Sequence, residues 1–324
     1  IFFGPILEGI SLSLIPVAIS IIISDSSQNT FYYEIIEHLK EVYSLEQIIF
    51  SISLIIIISF ILKSLFNLIT SAYSVHVINL YRNKWRSELF DTYLSKDVAN
   101  SYKTGELVEN LLNQTARSSK YLRFFINVIS KFLSTLVLII ILLFFSIEIT
   151  LIFCTAFLLM SILIFLKLKP LAVNLGKEQN KYLQQTTQIL TESLNGFLQI
   201  KVFNLEKIKT KEFLKKSKQQ SYNFVKTVII SNLPEFFGAT IFAAATLFLM
   251  LIYLEDYQQI LTLLLPFLIV GKRLHSEISS LLTNYTKLKN FRPSLDLVLS
   301  DIVFNKKNIN SKLSYLKNIN KINF

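Results

Sequence analysis

The hydrophobic residues of this chain are concentrated in long uncharged windows that alternate with basic segments. The windows are residues 9–24, 47–62, 132–147, 149–166, 236–254 and 257–271. With flanking polar residues, each window reaches about 20 residues, the length of an α-helix that crosses a hydrocarbon core about 30 Å thick. The pattern therefore predicts six membrane spans, at about 3–24, 45–68, 124–147, 148–169, 232–254 and 257–280.

The positive charges indicate the orientation of these spans. Thirty of the 33 lysines and arginines fall in residues 82–123, 167–226 and 272–321, which follow spans two, four and six. The link after span one instead carries five acids and one lysine. Because lysine and arginine collect in cytoplasmic loops, we expect an integral membrane protein, in the inner (plasma) membrane of a bacterium, with its basic segments in the cytoplasm.

Composition supports the membrane interpretation over its rivals. A hydrophobic share of 52% and a mean hydropathy of +0.49 exceed those of ordinary soluble domains. The net charge of +11 comes without a compact arginine cluster interleaved with aromatics, so we expect contacts with membrane lipids and no nucleic-acid partner. The chain begins at Ile1 rather than Met, so we interpret it as a piece of a longer protein.

The links between spans are very unequal in length. Spans three and four are joined around 146–148 and spans five and six around 255–256, which predicts two tight outward hairpins. The inward connections, about 70–123 and 170–230, have little turn chemistry and are predicted to be helical hairpins that project on the order of 35–40 Å. In the first connection, Gly105 predicts a break near 101–105.

Motifs in both inward connections resemble the transmembrane domain of type I ATP-binding cassette (ABC) exporters. R-S-E-L-F-D-T-Y-L at 86–94, followed by Y-K-T-G-E-L at 102–107, is similar to the first family pattern. E-S-L-N-G-F-L-Q-I-K-V-F at 192–203 is similar to the more specific E-x-L-x-G-I-x-x-I-K-x-F. Residues 285–299 resemble the helix that leaves the membrane. Gln114 departs from the pattern, because the family often has aspartate there.

The resemblance implies an all-α transmembrane domain over residues 1–300 and a linker, 301–324, into a nucleotide-binding domain outside this segment. In such exporters, ATP-driven closure of two nucleotide-binding domains reaches the spans through short coupling helices. The first coupling helix maps to Asp97, Ser101, Tyr102, Lys103, Thr104 and Gly105, and the second to Lys201, Val202, Phe203, Asn204 and Leu205. The implied partners are a nucleotide-binding domain, in the same chain or separate, and a second transmembrane half in a homodimer or heterodimer.

This segment carries no recognisable catalytic motif. The Gly-Lys pair at 271–272 has Pro266 where a phosphate-binding loop requires Gly and Arg273 where it requires Ser or Thr. Three scattered histidines and one cysteine, Cys154, also disfavour metal and acyl-transfer chemistry. We therefore expect no catalytic, cofactor or metal site here, and the resemblance implies ATP and Mg²⁺ only for the missing domain.

Ionisable residues at membrane depth are the remaining candidates for a functional site. Glu8 and Glu235 are candidates for a cavity, with helix-terminus electrostatics as the alternative. Lys63 and Lys131 are explained either by a cavity or by snorkelling toward cytoplasmic headgroups.

The substrate is indicated by one short motif. Residues 7–16, L-E-G-I-S-L-S-L-I-P, resemble span one of exporters that flip lipid-linked oligosaccharides or other lipids. An apolar, aromatic-rich bundle also suits an amphiphile. We therefore predict ATP-driven export or flipping of an amphiphile. The alternatives are one half of a peptide, toxin or drug exporter, or a membrane scaffold or channel without ATP coupling.

Overall fold

The computed structural model of the chain describes residues 4–7, 9, 11, 14, 43–94, 104–145, 147–252 and 265–319. Within these ranges the chain is almost entirely helical and contains no strand. The helices are α1 (Leu45–Leu94), α2 (Thr104–Glu109), α3 (Thr115–Phe145), α4 (Ile147–Asn195), α5 (Phe197–Val202), α6 (Glu206–Ile252) and α7 (Leu265–Ile319). A π-helical turn, Asn110–Gln114, joins α2 to α3. The all-α fold class is confirmed.

Several of these helices are long and apolar enough to cross a membrane. In the described part of the chain they are Glu46–Leu94, Thr104–Leu143 and Glu206–Leu251, with a fourth if Thr150–Ile162 and Leu166–Asn195 form one bent span. Most of predicted span one, the first part of predicted span six and the 255–256 link lie outside the described residues. The count of six spans therefore stays a prediction.

Local sequence explains why α1 starts where it does and runs for 50 residues. The Ser44 hydroxyl accepts a hydrogen bond from the Gln47 N–H, and the Gln47 side chain accepts one from the Ser44 N–H, which forms a capping box. No glycine or proline follows within the helix. In α7, Pro266 is the second residue, a position where a missing N–H costs nothing.

The chain divides into two compact units. The first, which we call the membrane unit, comprises Ile1–Ser74, Ile126–Leu166 and Asn232–Asn284, and it contains all six apolar windows. The second, which we call the stalk unit, comprises Val75–Phe125, Lys167–Ser231 and Tyr285–Phe324.

Each unit has an apolar core of its own. In the membrane unit, Ile48 and Ile52 are buried against Leu14. In the stalk unit, Leu89 is fully buried and packs with Val298, and Trp85 lies against this cluster.

Two predicted segments are described only in part. Gly105 is the second residue of α2, and residues 101–103 of the predicted break lie outside the described ranges. Within the predicted linker at 301–324, α7 continues to Ile319. Residues 320–324 lie outside the described ranges.

Candidate functional site

The long helices α4 and α6 are separated by residues 196–205, which we call the stalk tip. Gly196 leaves the helical conformation, with φ −96° and ψ 24°. Its N–H still donates to the Glu192 carbonyl at 2.9 Å, and its own carbonyl accepts from the Ile200 N–H at 2.9 Å. A Cβ at this position would lie 2.9 Å from Gln199 Oε1. The helix α4 ends before this residue, and the short helix α5 begins directly after it.

The far side of the tip turns into α6 through a left-handed residue. Asn204 has φ 52°, a conformation that asparagine tolerates better than most residues. The Leu205 N–H donates to the Ile200 carbonyl at 2.9 Å, which closes the turn. Lys201 Nζ lies 3.0 Å from Glu206 Oε1. A backbone hydrogen bond at Glu206, and then the Lys201 side chain, lower the pKa of the Glu206 carboxyl below its usual range.

The stalk tip exposes large apolar side chains. Phe197 is 54% exposed, Leu198 77%, Val202 74% and Phe203 69%. Four such residues within seven positions form an exposed apolar patch on the stalk tip. Contiguous apolar patches of this kind mark surfaces that contact another protein or a membrane. Of the predicted second coupling helix, Val202 and Phe203 belong to this patch, and Lys201 forms the ion pair beside it.

The first predicted coupling helix is described only at its end. Asp97, Ser101, Tyr102 and Lys103 lie outside the described residues. Thr104 begins α2, and Gly105 is buried one residue later. A Cβ at Gly105 would lie 2.8 Å from the Cα of Gln188 in α4. Gly105 therefore permits a close approach of α2 to α4.

Only one of the two predicted cavity acids lies in the described structure. Glu8 lies outside the described residues. Glu235 is exposed, directly after Pro234 in α6, and interacts electrostatically with His275. Lys63 lies with its Nζ 5.6 Å from the centre of the Phe60 ring.

Among the described residues of the membrane unit, the buried carboxylate of Glu277 contacts two partly exposed cations, Lys131 and Arg273, and we call these three residues the ion triad. Glu277 is 1% exposed. Lys131 Nζ lies 3.0 Å from Glu277 Oε2 and 3.1 Å from Oε1. Arg273 Nη2 lies 2.7 Å from Glu277 Oε1. Snorkelling does not account for this geometry, because the Lys131 ammonium contacts a buried carboxylate on α7.

The triad continues into a polar seam between α3 and α7. Asn127, one turn before Lys131, donates to Asn284 Oδ1 at 3.3 Å. Asn284 in turn donates to the Ser280 carbonyl at 2.7 Å. Sequence reasoning missed this seam, because Arg273 and Glu277 were absorbed into the basic block at 272–321. The available signal was spacing: 127 and 131 on one helix, and 273, 277 and 284 on the other, each recur on one helical face.

The stalk unit contains a second buried carboxylate, Glu109. It is fully buried and accepts hydrogen bonds from Asn113, from Gln114 at 3.3 Å and from Thr187 at 2.8 Å. The π-helical turn explains the geometry, since i→i+5 spacing brings Gln114 as well as Asn113 onto the same carboxylate. Gln114, the departure from the family pattern, therefore has a structural partner in this chain.

A buried cation, Arg117, lies in the same unit. Its Nε donates to Asn180 Oδ1 and to Ser294 Oγ, each at 3.0 Å, and its guanidinium lies 5.0 Å from the centre of the Phe291 ring. Burial lowers the pKa of Arg117 to about 10, and the charge of Glu109 opposes that shift. The side chain is still charged at neutral pH.

The Gly-Lys pair at 271–272 does not form a phosphate-binding loop. Gly271 and Lys272 lie inside α7, where the backbone N–H groups are used by the helix and cannot cradle a phosphate. Within the described residues, no group of three or more His, Cys, Asp or Glu side chains is positioned to hold a metal ion.

Comparison with known proteins identifies a transporter family for this chain. The family described as the ABC transporter transmembrane region matches residues 1–269. A search among curated proteins finds no match.

Solved structures include a similar fold. The structure of a bacterial Atm1-family ABC exporter with ATP bound matches with a TM-score of 0.68 at 12% sequence identity. The match covers 93% of this chain and 52% of that one. This chain therefore spans about half the length of that exporter.

Proposed function

The chain belongs to the ABC transporter transmembrane family, and from this premise we propose that it forms the translocation pathway of an ATP-driven pump for an amphiphile. A transport role and an integral membrane location follow from the family. ATP coupling, the substrate class, the partners and a bacterial inner-membrane location with cytoplasmic basic segments are the proposed parts.

The observation that carries the proposal is the exposed apolar patch of the stalk tip. Val202 and Phe203 are 74% and 69% exposed at the end of a rigid helical pair. An apolar anchor of this kind gains free energy when a partner covers it. We assign the partner as a nucleotide-binding domain, which supplies the ATP and Mg²⁺ chemistry that this segment lacks. Movement of that domain would then reach the spans through α4 and α6.

The second transmembrane half and the substrate follow from the membrane unit. Many side chains of its helices are apolar and exposed, including Phe50, Ile57 and Ile61 of α1. Lipid and a second half, as a homodimer or heterodimer, would cover them. The same apolar surroundings favour an amphiphile over a sugar or metal ion.

We expect the double variant Val202→Asp, Phe203→Asp to lose coupling. In proteoliposomes of the full-length protein with its nucleotide-binding domain, ATP-dependent movement of a fluorescent phospholipid should fall by about tenfold or more, since buried interface anchors contribute about 2 kcal/mol or more. Hydrolysis of ATP should continue, because the changed residues do not belong to the nucleotide-binding domain, where ATP would be hydrolysed.

The matched control is Phe224→Asp. Phe224 is an exposed apolar residue of α6 in the same unit, 60% exposed, and lies about 30 Å along the helical rise from the tip. This variant should transport normally. Wild-type transport by the double variant would refute the assignment of the tip.

A further inference from the structure

The stalk unit contains an open cavity between α4 and α7, which the proposed function does not use. The cavity has a volume of about 520 Å³, within the range of small-molecule sites. Its charged and amide side chains are Lys177, Asn180, Lys181 and Gln184 of α4 and Arg292 and Asp296 of α7. Both helices therefore contribute polar groups to one concave surface.

The two helices are held close together at one end of this cavity. A Cβ at Gly176, the residue before Lys177, would lie 2.0 Å from the backbone oxygen of Asn290. Asn290 Nδ2 also donates to the Ala172 carbonyl at 3.1 Å. Beyond this contact, the polar lining residues of each helix recur at spacings of three or four positions, so they share one helical face.

The lining of the cavity carries three cations and one acid. Arg292 Nε lies 3.5 Å from Asp296 Oδ2, and both side chains are more than half exposed. Within the described residues, Lys177 and Lys181 form no ion pair. Glu178 follows Lys177 in the sequence but does not line the cavity. Asp296 is therefore the acid that a ligand would meet beside these cations.

Further positive charge lies close to the lining. Lys289 is one turn before Arg292 in α7. Burial, and then the charges of Arg292 and Lys169, lower the pKa of the Lys289 ammonium below its usual range. Like charges that disfavour one another in this way are stabilised by an anion placed among them.

A buried network forms the back of the cavity wall. Asn180 is 6% exposed, and its Oδ1 accepts hydrogen bonds from Arg117 Nε at 3.0 Å and from the Ser294 hydroxyl at 2.9 Å. Because the oxygen is engaged, a ligand would meet the amide N–H groups of Asn180, which are donors. Arg117 Nη2 is buried without a hydrogen-bond partner among the described residues. The wall therefore offers a donor with a buried positive charge behind it.

We propose that this cavity binds a phosphate monoester, with Lys177, Lys181 and Arg292 as its charged contacts. A phosphate monoester carries a charge of about −1.5 to −2 at neutral pH and has three strong acceptor oxygens, so it can accept hydrogen bonds from both helices at once. Hydrogen bonds to charged donors are about twice as strong as neutral ones. The inference goes beyond the proposed function, because it assigns binding outside the six apolar windows and requires no transport.

The test measures binding of glycerol 3-phosphate, and of glycerol, to the full-length protein in phosphatidylcholine nanodiscs. Isothermal titration calorimetry without ATP gives the affinities. The wild type should bind glycerol 3-phosphate and not glycerol. Lys181→Gln and Arg292→Gln should each weaken binding by about threefold to tenfold, between the effect of an exposed ion pair and that of a hydrogen bond to a charged group.

Two matched variants separate the cavity from the general charge of the protein. Asp296→Asn should strengthen binding, because it removes the acid beside the cations. Lys215→Gln changes an exposed lysine of α6 in the same unit and should leave binding unchanged. A phosphate site in the nucleotide-binding domain would respond to none of these substitutions.

A second arm identifies the molecule that carries the phosphate. Phosphatidic acid, or the same mole fraction of oleic acid, is added to the nanodisc. Stronger displacement of glycerol 3-phosphate by phosphatidic acid assigns the ligand as a lipid headgroup. No displacement, or equal displacement by the two lipids, assigns it as a soluble ester. Both results support the phosphate site.

The inference is overturned if the wild type binds neither compound or binds both equally. Unchanged affinity in both Lys181→Gln and Arg292→Gln, or weaker binding in Asp296→Asn, would also overturn it, because the phosphate would then bind elsewhere. The proposed function is tested separately: a protein that shows the expected binding pattern but moves no amphiphile with ATP retains the phosphate site and loses the transport proposal.

Discussion

The membrane unit and the stalk unit each bury a carboxylate, but the partners of that carboxylate differ between the two units. In the stalk unit, Glu109 is surrounded by neutral amides and a hydroxyl, and the nearby cation Arg117 is bound by Asn180 and Ser294. In the membrane unit, Glu277 directly contacts two cations. The Glu109 carboxylate therefore has neutral partners, whereas the Glu277 carboxylate has charged ones.

The two carboxylates illustrate two ways of compensating a buried negative charge. Neutral dipoles stabilise Glu109 without adding charge of their own. Glu277 is instead stabilised by charge-assisted contacts with Lys131 and Arg273.

The largest expected effect comes from breaking the hydrogen bonds around Glu109, which we call the stalk network. Glu109→Leu removes the carboxylate whose negative charge partly offsets the desolvation of the Arg117 guanidinium. It also leaves the donors of Asn113 and Thr187 without their acceptor. We expect a loss of about 3–5 kcal/mol in the free energy of unfolding, typical of a broken buried charge network. Fluorescence of Trp85 measures this, because the single tryptophan of the chain packs in the stalk core.

The control for this variant is Glu109→Gln, which keeps an acceptor oxygen and should cost less. An unchanged thermal midpoint in Glu109→Leu would mean that the stalk network contributes no stability. The proposed contrast with the ion triad would then lose its basis.

A smaller effect on stability is expected from close helix contacts at one glycine in each unit. A Cβ at Gly176 in the stalk unit would lie 2.0 Å from the backbone oxygen of Asn290. A Cβ at Gly238 in the membrane unit would lie 2.3 Å from Ser279 Oγ, which belongs to a side chain. We expect Gly176→Ala to destabilise the protein by about 1–3 kcal/mol.

Gly238→Ala should cost less, because a hydroxyl can rotate away and a backbone carbonyl in a helix cannot. Thermal unfolding of both variants in the same detergent measures the difference. A larger loss for Gly238→Ala would show that the membrane unit is the more tightly packed of the two.

Features that depend on local sequence were predicted, whereas contacts between residues far apart in the sequence were not. Helix content and the stalk tip follow from local signals, namely apolar periodicity and the motif around Gly196. The triad joins residues 146 positions apart, so it depends on the register of two helices, and the local charge pattern around Arg273 indicated only a cytoplasmic block.

Two other features needed the structure for similar reasons. The close contact between Gly105 and Gln188 joins two helices that are distant in sequence, so local sequence did not indicate it. The apolar positions of α4 also differ in burial: Ile189 is buried, whereas Leu190 and Leu194 are 48% and 66% exposed. Hydrophobic periodicity identifies a helical face without stating what covers it.

The smallest expected effect is a titration at the stalk tip. The pKa of Glu206 is lowered, so its ion pair with Lys201 contributes stability above the carboxyl's usual pKa of 4.5 and loses it as pH falls through the lowered pKa. Lys201→Ala should raise the pKa toward 4.5 while the backbone hydrogen bond keeps part of the shift.

A nuclear magnetic resonance titration of the Glu206 carboxyl in the full-length protein measures this pKa. Lys209→Ala provides the control, because it breaks the neighbouring exposed pair with Glu212 and leaves Glu206 unchanged. Identical titration curves for wild type and Lys201→Ala would show that the ion pair does not lower the pKa of Glu206.

The central claim is that the stalk unit lies in the cytoplasm, where a nucleotide-binding domain can reach its tip. The most direct test introduces a single cysteine at Asn195 or at Asn29 in a Cys154→Ala background and treats intact cells with a membrane-impermeant thiol reagent. The charge asymmetry predicts that the cysteine at 195 is protected and becomes reactive only in inside-out vesicles, while the cysteine at 29 reacts from outside. Labelling of position 195 from outside, with position 29 protected, would place the tip away from cellular ATP and contradict the account.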